Sequence, residues 1–591
     1  MDKEQVSSGN IIDWKVLRRL MKFVAPYRGI FYGLIVLTVL LGLLTPTRPI
    51  LIQYTIDEHV AFGDYAGMLN IMILLVGLLI IHSIVQYAHT YFSGLLGQYV
   101  IRDIRTKLFE HIVNLRLRFF DKTPIGRLVT RTISDVETLA DVFSEGLAAM
   151  AGDLLQIVFI LGFMFYQDWR LALLSLSTIP LLLISTYVFK EKIKVTFNDV
   201  RNAVANLNTF VQEHITGMNI VQIFASEKTE FEKFRRINEE HRHANLRSVL
   251  YYSVYFPVAE IIAAAGIGLL VWYGAKGVIR IEETGITIGK LIAFIMYIQM
   301  FFRPIRMIAD RYNTLQMGIV STSRIMNLLD NQEHIQQTGT YQPAHIRGAI
   351  QFEHVWFAYN EEQYVLKDIN INIREGETVA FVGATGAGKS SIINLLNRFY
   401  EINKGSIKID GVDIKDYDLG ALRRNIGVVL QDVFLFSDTI FNNITLGNAD
   451  VTEAMVWHAA DLAGARRFIE RLPGKLSYNV MERGATLSVG QRQLISFIRA
   501  MVYNPKILIL DEATSSVDSE TELMIQQAID TMMLGRTSVV IAHRLSTIQK
   551  ADKIIVMDHG EIKEVGRHEE LLSKDGFYAN LHKMQYKEFV G

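Results

Sequence analysis

The chain contains no cysteine in its 591 residues, which excludes disulfides, thiolate nucleophiles and zinc sites built from cysteine. It also has no charge surplus. The formal net charge is −1, whereas a nucleic-acid partner requires clustered basic residues, so no nucleic acid is expected to bind. We expect residues 1–28 not to act as a secretory signal, because they lack a short apolar core and carry basic residues instead: Lys3, Lys15, Arg18, Arg19, Lys22 and Arg28.

The chain is rich in apolar residues. They make up 50% of the sequence, and the mean hydropathy of +0.21 is high for a soluble protein. A helix that crosses ~30 Å of hydrocarbon needs about 20 apolar residues. Six stretches of the first half are predicted to meet this requirement: residues 29–54, 68–92, 147–166, 171–189, 251–275 and 286–308.

The charges on the connecting segments predict an orientation. The connection 54–67 carries Asp57, Glu58 and Asp64 but no Lys or Arg, whereas the connections 95–146 and 190–248 are rich in both. The positive-inside rule therefore places the two long connections and both termini in the cytoplasm. We expect a multi-pass protein of the plasma (inner) membrane, with its N-terminus and its second half in the cytoplasm.

The long connections show helical periodicity rather than loop composition. We expect the membrane helices to continue into the cytoplasm as hairpins, with turns near residues 123–127 and 214–218, where Pro and Gly occur. The run 11–24 alternates apolar and basic residues, which predicts an amphipathic helix on the cytoplasmic membrane surface within an N-terminal segment 1–28. The alternative is an ordinary soluble helix.

Five ionisable residues fall within or at the ends of the predicted spans. Such groups are costly in hydrocarbon and face either a cavity or a partner. They therefore form a polar substrate path, or they pair within the helix bundle, and the sequence leaves both interpretations open. The residues are His82, His89, Asp153, Glu260 and Arg303.

Beyond the transmembrane domain 29–330, residues 340–591 alternate short Val/Ile-rich strands with helices, the pattern of an α/β domain with a mainly parallel sheet. Here a predicted strand, a GxxxxGK[ST] segment and a helix follow one another, as in a phosphate-binding P-loop. Lys389 is expected to reach the β- and γ-phosphates of ATP, and Ser390 to hold Mg²⁺. The predicted phosphate cradle comprises Gly383, Ala384, Thr385, Gly386, Ala387, Gly388, Lys389, Ser390 and Ser391.

A second metal-binding arm follows the apolar strand KILIL. Asp511 and Glu512 come directly after it, at the strand end where open α/β sheets bind ligands. We expect Asp511 to position Mg²⁺ through water and Glu512 to act as the general base that polarises the attacking water.

The segment ATLSVGQRQ (485–493) also carries phosphate-binding groups but has no lysine or carboxylate of its own. Together with GATGAGKS, ILILDE and SSVD, its LSVGQ resembles the nucleotide-binding domain of ATP-binding cassette (ABC) transporters. Six spans with long cytoplasmic hairpins, fused ahead of that domain, resemble the half-transporters of the ABC exporters. The resemblance implies a multi-domain membrane protein with a six-helix all-α transmembrane domain, long cytoplasmic helical extensions and an α/β P-loop ATPase domain.

The resemblance also implies roles for individual residues. Tyr359 matches the aromatic residue that stacks on adenine, and Gln431 the glutamine that contacts Mg²⁺ and senses the γ-phosphate. Asp518 matches the loop that crosses to the partner cassette, and His543 the switch histidine. The segments 123–127 and 213–217 match the coupling helices, and 482–484 the segment that touches them. The signature that binds the ATP of the partner chain comprises Leu487, Ser488, Val489, Gly490 and Gln491.

The implied function is ATP-driven export or flipping of an amphipathic or hydrophobic compound, such as a drug or a lipid, by a dimer with two composite ATP sites. Val489 replaces the first glycine of the usual signature, and we expect a working or mildly weakened signature. In the P-loop, Ala384 stands where Pro or Ser is common, and we expect this difference to have little effect. A homodimer is slightly favoured over the catalytic half of a heterodimer.

Three alternative hypotheses for the function compete with this one. An ATP-gated channel shares the fold. A soluble P-loop ATPase would make the apolar runs core helices. A peptidase-linked exporter is disfavoured by the short N-terminus and the missing cysteine.

Overall fold

The computed structural model describes residues 14–142, 146, 148–334, 339–360, 363–511, 519–542 and 544–586. These residues form two compact units. The first contains residues up to 113 and 125–331, and the second contains residues 114–124 together with those from 332 onward.

The first unit is all helical, as predicted, and its helices follow from the sequence pattern. Long apolar runs with few Gly or Pro favour helices, because every backbone polar group can then be paired within its own segment. The helices up to residue 329, with α4 belonging to the second unit, are α1 Trp14–Val24, α2 Arg28–Tyr54, α3 Tyr65–Val113, α4 Leu117–Lys122, α5 Ile125–Thr130, α6 Val136–Asp141, α7 Ala148–Gln167, α8 Trp169–Leu176, α9 Ile179–Thr216, α10 Met218–Ile223, α11 Glu227–Ile279, α12 Ile281–Thr284 and α13 Ile288–Leu329.

Among the residues that the structure describes, six segments of this unit are long and apolar enough to cross a membrane. Their apolar side chains face mostly outward: in the most apolar window of α3 only 6% of the residues are buried. That pattern suits a lipid environment, where an exposed apolar side chain carries no penalty. The protein is therefore a multi-pass membrane protein.

The predicted helical extensions are confirmed. The 49 residues of α3 span about 70 Å at 1.5 Å per residue, more than twice the thickness of the hydrocarbon layer. Helices α9 and α11 also extend far beyond a single membrane crossing. The hairpin that they form turns at Gly217, as expected, but α10 and a second turn at residues 224–226 follow before α11 begins.

The fourth predicted span, 171–189, lies within one candidate membrane segment, Trp169–Thr216, but the helix of this segment has a local break that was not predicted. It is interrupted between α8 and α9, at Ser177 and Thr178. Pro180 explains the break, since proline has no N–H to donate and disfavours helical backbone at the residue before it. Asp168 caps the start of α8 by accepting hydrogen bonds from the N–H groups of Arg170 and Leu171.

The amphipathic N-terminal segment is a helix, α1, and its apolar side packs onto the first unit. Leu20 and Val24 are buried, with 2% of each exposed. On the opposite side Arg19 makes a two-pronged ion pair with Asp330, with N–O distances of 2.6 and 2.7 Å. Packing against protein therefore accounts for one face of this helix.

The second unit is the predicted α/β domain, and it contains two sheets. The larger sheet has the strand order β10-β9-β3-β8-β7-β6, parallel except for β10. An antiparallel sheet of order β2-β1-β4-β5 was not predicted from the sequence. The strands are β1 Ile350–Phe357, β2 Leu366–Ile373, β3 Thr378–Val382, β4 Lys404–Ile409, β5 Val412–Asp413, β6 Ile426–Val429, β7 Ile507–Asp511, β8 Thr537–Ile541, β9 Lys553–Asp558 and β10 Glu561–Gly566.

Helices cover the larger sheet and bury its apolar strands. Strand β8 is buried at all five positions, as is usual for a parallel sheet that is covered on both faces. The helices of this domain are α14 Lys389–Leu396, α15 Leu419–Arg424, α16 Ile440–Thr445, α17 Glu453–Leu462, α18 Arg466–Glu470, α19 Val489–Val502, α20 Ser519–Met533, α21 Leu545–Lys550, α22 His568–Ser573 and α23 Phe577–Tyr586.

Candidate nucleotide site

The carboxyl ends of four neighbouring parallel strands lie at one edge of the larger sheet. Strand β8 lies between β3 and β7, so that Ile541 is paired with both Phe381 and Asp511. The P-loop follows β3, and Gln431 follows β6 by two residues. The topology thus brings the P-loop, Asp511 and Gln431 to the edge where open α/β sheets bind ligands.

The glycines of the P-loop are required by close packing and backbone shape. A Cβ at Gly383 would lie 2.2 Å from the carbonyl oxygen of Met557, and one at Gly388 would lie 2.7 Å from Leu366. Gly386 and Gly388 also adopt positive φ values of 84° and 103°. These residues curl the loop tightly at the start of α14, so that its first N–H groups are available to an anion.

Lys389 lies inside this curl. Its Nζ donates hydrogen bonds to the carbonyl oxygens of Gly383 and Ala384, at 2.6 and 2.9 Å. Burial lowers the pKa of the ammonium, and the nearby carboxylate of Asp511 opposes that shift. A lysine ammonium held beside the backbone N–H groups of a P-loop is suited to binding the phosphates of a nucleotide.

The predicted metal-binding residues offer hydroxyl, amide and carboxylate oxygens, the hard donors that Mg²⁺ prefers. Ser390 and Gln431 are exposed, and Asp511 is half-buried. Among the described residues no group of three His, Asp or Glu could hold a metal by itself. This donor set fits Mg²⁺, which is commonly bound through one or two protein groups together with substrate phosphates and water.

Tyr359 lies beside the start of α14. Its hydroxyl is 3.1 Å from Ser391 Oγ and accepts a hydrogen bond of 3.2 Å from Asn394 Nδ2. The ring meets Tyr400 edge-on at a centroid distance of 5.0 Å. Ser391, predicted in the phosphate cradle, is buried and contacts Tyr359. Sequence reasoning missed Asn394, which lies one helical turn after Ser390 and fixes the tyrosine at the edge of the P-loop.

The signature segment forms the start of α19. The Ser488 side chain accepts a hydrogen bond from Gln491 N, and Gln491 Oε1 accepts one from Ser488 N, at 3.2 and 3.0 Å. This capping box was readable in the sequence as S-x-x-Q but was not predicted. Leu487 is buried beneath it, whereas Val489 is 48% exposed. The two hydrogen bonds of the box do not use the first N–H groups of α19, those of Val489 and Gly490, which have no acceptor within the helix.

Three predicted residues lie outside the described residues: Glu512, Asp518 and His543. In sequence, Glu512 directly follows the last residue of β7, and His543 comes two residues after β8. Their assigned roles therefore remain predictions.

The ionisable residues of the membrane-spanning unit have mixed environments. Asp153 on α7 forms an ion pair with Arg311 on α13, with an N–O distance of 2.5 Å. His89 lies 3.1 Å from the hydroxyl of Thr38. His82 makes a similar contact with Thr45 at 3.4 Å, whereas Glu260 and Arg303 are exposed.

Comparison with known families agrees with this geometry. Residues 31–305 match the profile of the ABC transporter transmembrane region, and residues 366–515 match the ABC transporter profile. The chain belongs to the ABC transporters. It is an ATP-binding protein and an ATPase coupled to transmembrane transport. As an exporter-type half-transporter with one membrane domain and one cassette, it works with a second half-transporter.

Relatives align over almost the whole ABC transporter. The uncharacterized ABC transporter ATP-binding protein YknV of Bacillus subtilis is 38% identical, covering 100% of this chain and 98% of the relative. The ATP-dependent lipid A-core flippase of Syntrophus aciditrophicus is 35% identical, covering 97% and 95%. A protein named for multidrug export, an ATP-binding/permease protein of Staphylococcus aureus, is 37% identical, covering 96% and 100%.

Proposed function

We propose that this half-transporter works as a homodimer in the plasma membrane, with its cassette in the cytoplasm, and exports or flips an amphipathic or hydrophobic compound. The observation that carries the proposal is the form of the signature helix. In its capping box the Ser488 and Gln491 side chains are already hydrogen-bonded, so the backbone amides at the tip of α19 are the groups that remain for a ligand. A helix tip of this kind suits a phosphate whose other oxygens are bound by a cationic site on a second protein surface.

The complementary group is the P-loop of the partner subunit. In this proposal Lys389 and the P-loop amides hold the β- and γ-phosphates of ATP, and Tyr359 stacks on the adenine. The tip of α19 in the other subunit contacts the γ-phosphate from the opposite side. Because a nucleotide bridges two subunits, binding closes the dimer and hydrolysis releases it.

The other residues of the nucleotide site have the following proposed roles. Ser390, Gln431 and Asp511 hold Mg²⁺, Asp511 through water. The ion, when bound, neutralises charge on the phosphate oxygens. Glu512 accepts the proton of the attacking water, His543 hydrogen-bonds the γ-phosphate, and Asp518 crosses to the partner cassette.

The long hairpin formed by α9 and α11 supports a second contact with protein. At its tip Ile220, Ile223 and Phe224 are exposed, by 54%, 73% and 72%. A cytoplasmic helix end with three adjacent apolar side chains suits a protein surface better than water. We assign this tip the role of a coupling element that transmits cassette motion to the membrane helices.

The substrate class rests on the relatives and on the apolar membrane unit. One relative is named a lipid A-core flippase and another is named for multidrug export. We therefore propose a drug-like or lipid-like amphipathic substrate.

The test is the ATPase activity of the chain expressed alone and reconstituted in lipid nanodiscs, beside Glu512→Gln. We expect turnover in the wild type, less than a hundredth of it in Glu512→Gln, and ATP binding in both. An ATP-binding, folded preparation of the wild type without turnover would overturn the homodimer, and the partner would then be a different half-transporter.

A further inference from the structure

The second unit contains a cavity that is separate from the tip of α19 and from the metal-binding edge of the sheet. Its volume is about 280 Å³. Four stretches of the chain line it: the segment 115–120, which includes the start of α4, residues 357–359 at the end of β1, residues 398–403 after α14, and Arg423 near the end of α15. A phosphate or diphosphate compound fits a space of this size, whereas a drug-sized ligand needs more.

The lining of the cavity is strongly basic. Arg116 and Arg118 come from the segment, and Arg398 and Arg423 come from the α/β domain, whereas Glu401 is the one acidic residue that lines it. Burial and the positive charge of Arg398 lower the pKa of Arg423. Guanidinium groups brought together in this way repel one another, because water screens them only in part.

Most of the hydrogen-bond acceptors of these guanidinium groups carry no negative charge to offset the positive one. Arg116 donates to the carbonyl oxygen of His334 at 2.7 Å, and Arg423 donates to the carbonyl oxygens of Asn397 and Arg398, both at 3.3 Å. Carbonyl oxygens orient a guanidinium but carry no charge. Glu401 pairs with Arg398 at 3.1 Å and balances one of the four.

Arg118 is the least satisfied of the four. Its Nε is buried and has no hydrogen-bond partner among the residues that the structure describes. A buried donor of a charged group without an acceptor is costly, and a guanidinium fork matches the oxygens of a phosphate in two-pronged geometry.

The segment that carries Arg116 and Arg118 is already fastened to this domain at other points. Tyr400 donates a hydrogen bond from its hydroxyl to Asp121, and Arg116 N donates to the carbonyl oxygen of Glu333 at 2.9 Å. The segment is thus fixed to the domain by hydrogen bonds, and its two arginines line the same cavity as Arg398 and Arg423. An anion bound among the arginines would offset the repulsion between their guanidinium groups by attracting each of them.

We propose that this cavity is a second anion site, which binds a soluble phosphate or diphosphate compound and ties the segment 114–124 to the cassette. The six membrane-crossing segments found among the described residues all belong to the other unit, so the ligand reaches this cavity from the aqueous phase. Tyr359 also lines the cavity, so an anion bound there would lie near the base-stacking residue of the proposed ATP site.

The experiment uses inorganic pyrophosphate as the probe and the full chain in zwitterionic nanodiscs, measured by calorimetry. Lys389→Ala serves as the background, because it removes the competing phosphate site of the P-loop. We expect this variant to bind pyrophosphate, and binding to weaken as ionic strength rises.

Arg118→Gln in the same background tests the cavity itself. Loss of one charge-assisted two-pronged contact should weaken pyrophosphate binding by at least about tenfold. Arg118→Lys, which keeps the charge but loses the fork, should weaken it less. The matched control is Arg424→Gln, an exposed neighbour of Arg423 that does not line the cavity; binding should change by less than about twofold.

Two results would overturn the proposal. One is an absence of pyrophosphate binding in folded Lys389→Ala. The other is equal affinity in Arg118→Gln and Arg424→Gln. Neither result bears on the proposed export function, because that function is measured as turnover in the chain with an intact Lys389.

Discussion

Apolar residues have opposite consequences in the two units of this protein. In the cassette, strand β8 is apolar and fully buried, so a hydrophobic run locates the core. In the membrane unit, the most apolar window lies in α3, and only 6% of its residues are buried. The same signal therefore marks the interior of one unit and the surface of the other, because one is solvated by water and the other by lipid.

Polar residues differ between the units in a corresponding way. In the cassette, Ser390 and Gln431 are exposed at the ends of helices and strands, ready for a ligand. In the membrane unit, Asp153 and His89 are engaged with side chains of neighbouring helices. In the cassette, motif spacing identifies a ligand site. In the membrane unit, sequence position cannot distinguish a substrate-binding residue from one that pairs with a neighbouring helix of the bundle.

The largest effect should come from the cassette alone. Lys389→Ala removes the cation that the P-loop carbonyls hold, and we expect ATP hydrolysis to fall more than about a thousandfold through loss of phosphate contacts. The membrane unit should be unaffected. Steady-state ATPase activity and thermal unfolding of the purified variant check both points, and a loss of activity that comes with unfolding of the variant would contradict a role of Lys389 in phosphate contacts alone.

The reverse experiment alters the membrane unit. Asp153→Asn leaves Arg311 without its carboxylate partner in a mostly buried position. Removing one partner of a buried ion pair costs about 3–5 kcal/mol, so thermal stability in nanodiscs should drop clearly.

The same variant should bind ATP with unchanged affinity, since the site lies in the other unit. The double variant Asp153→Asn/Arg311→Met, which removes both charges, is the control and should recover much of the stability. Stability that is unchanged in the single variant would show that the pair contributes nothing.

A smaller effect is expected at the proposed adenine contact. Tyr359→Ala should raise KM for ATP by about tenfold with little change in kcat, because stacking contributes equally to ground-state and transition-state binding. Tyr359→Phe keeps the ring and loses only the hydrogen bonds to Ser391 and Asn394, so its KM should stay within about twofold of the wild type. A fall in kcat alone would argue against stacking.

The smallest effect concerns the unusual signature residue. Val489 is half-exposed and takes no part in the capping box, so Val489→Gly should raise turnover by no more than about two- to threefold. Gly490→Ala places a methyl group where the amide is proposed to approach phosphate, and its turnover should fall further. Steady-state ATPase assays of the two variants side by side decide whether the close approach occurs at residue 490 or at residue 489.

Much of the cassette could be predicted from sequence because its chemistry is local. The P-loop, the Asp511 strand and the signature are each short segments whose glycines, charges and caps determine their own backbone. Asn394 was missed because its role depends on Tyr359, which lies 35 residues earlier in the chain. The antiparallel sheet was missed for a similar reason, since β1 pairs not only with its neighbour β2 but also with β4, where the paired residues Ile350 and Ile409 lie 59 positions apart.

The sequence by itself determined the six apolar segments, their helical extensions and the order of the nucleotide-site motifs. These depend on hydrophobic length and on residue types at fixed spacing. Only the tertiary structure decided that Asp153 pairs with Arg311 and that four arginines from distant segments line one cavity. Such pairings depend on which helix faces meet, and the rotation of a helix among its neighbours is set by packing rather than by the hydropathy of its own residues.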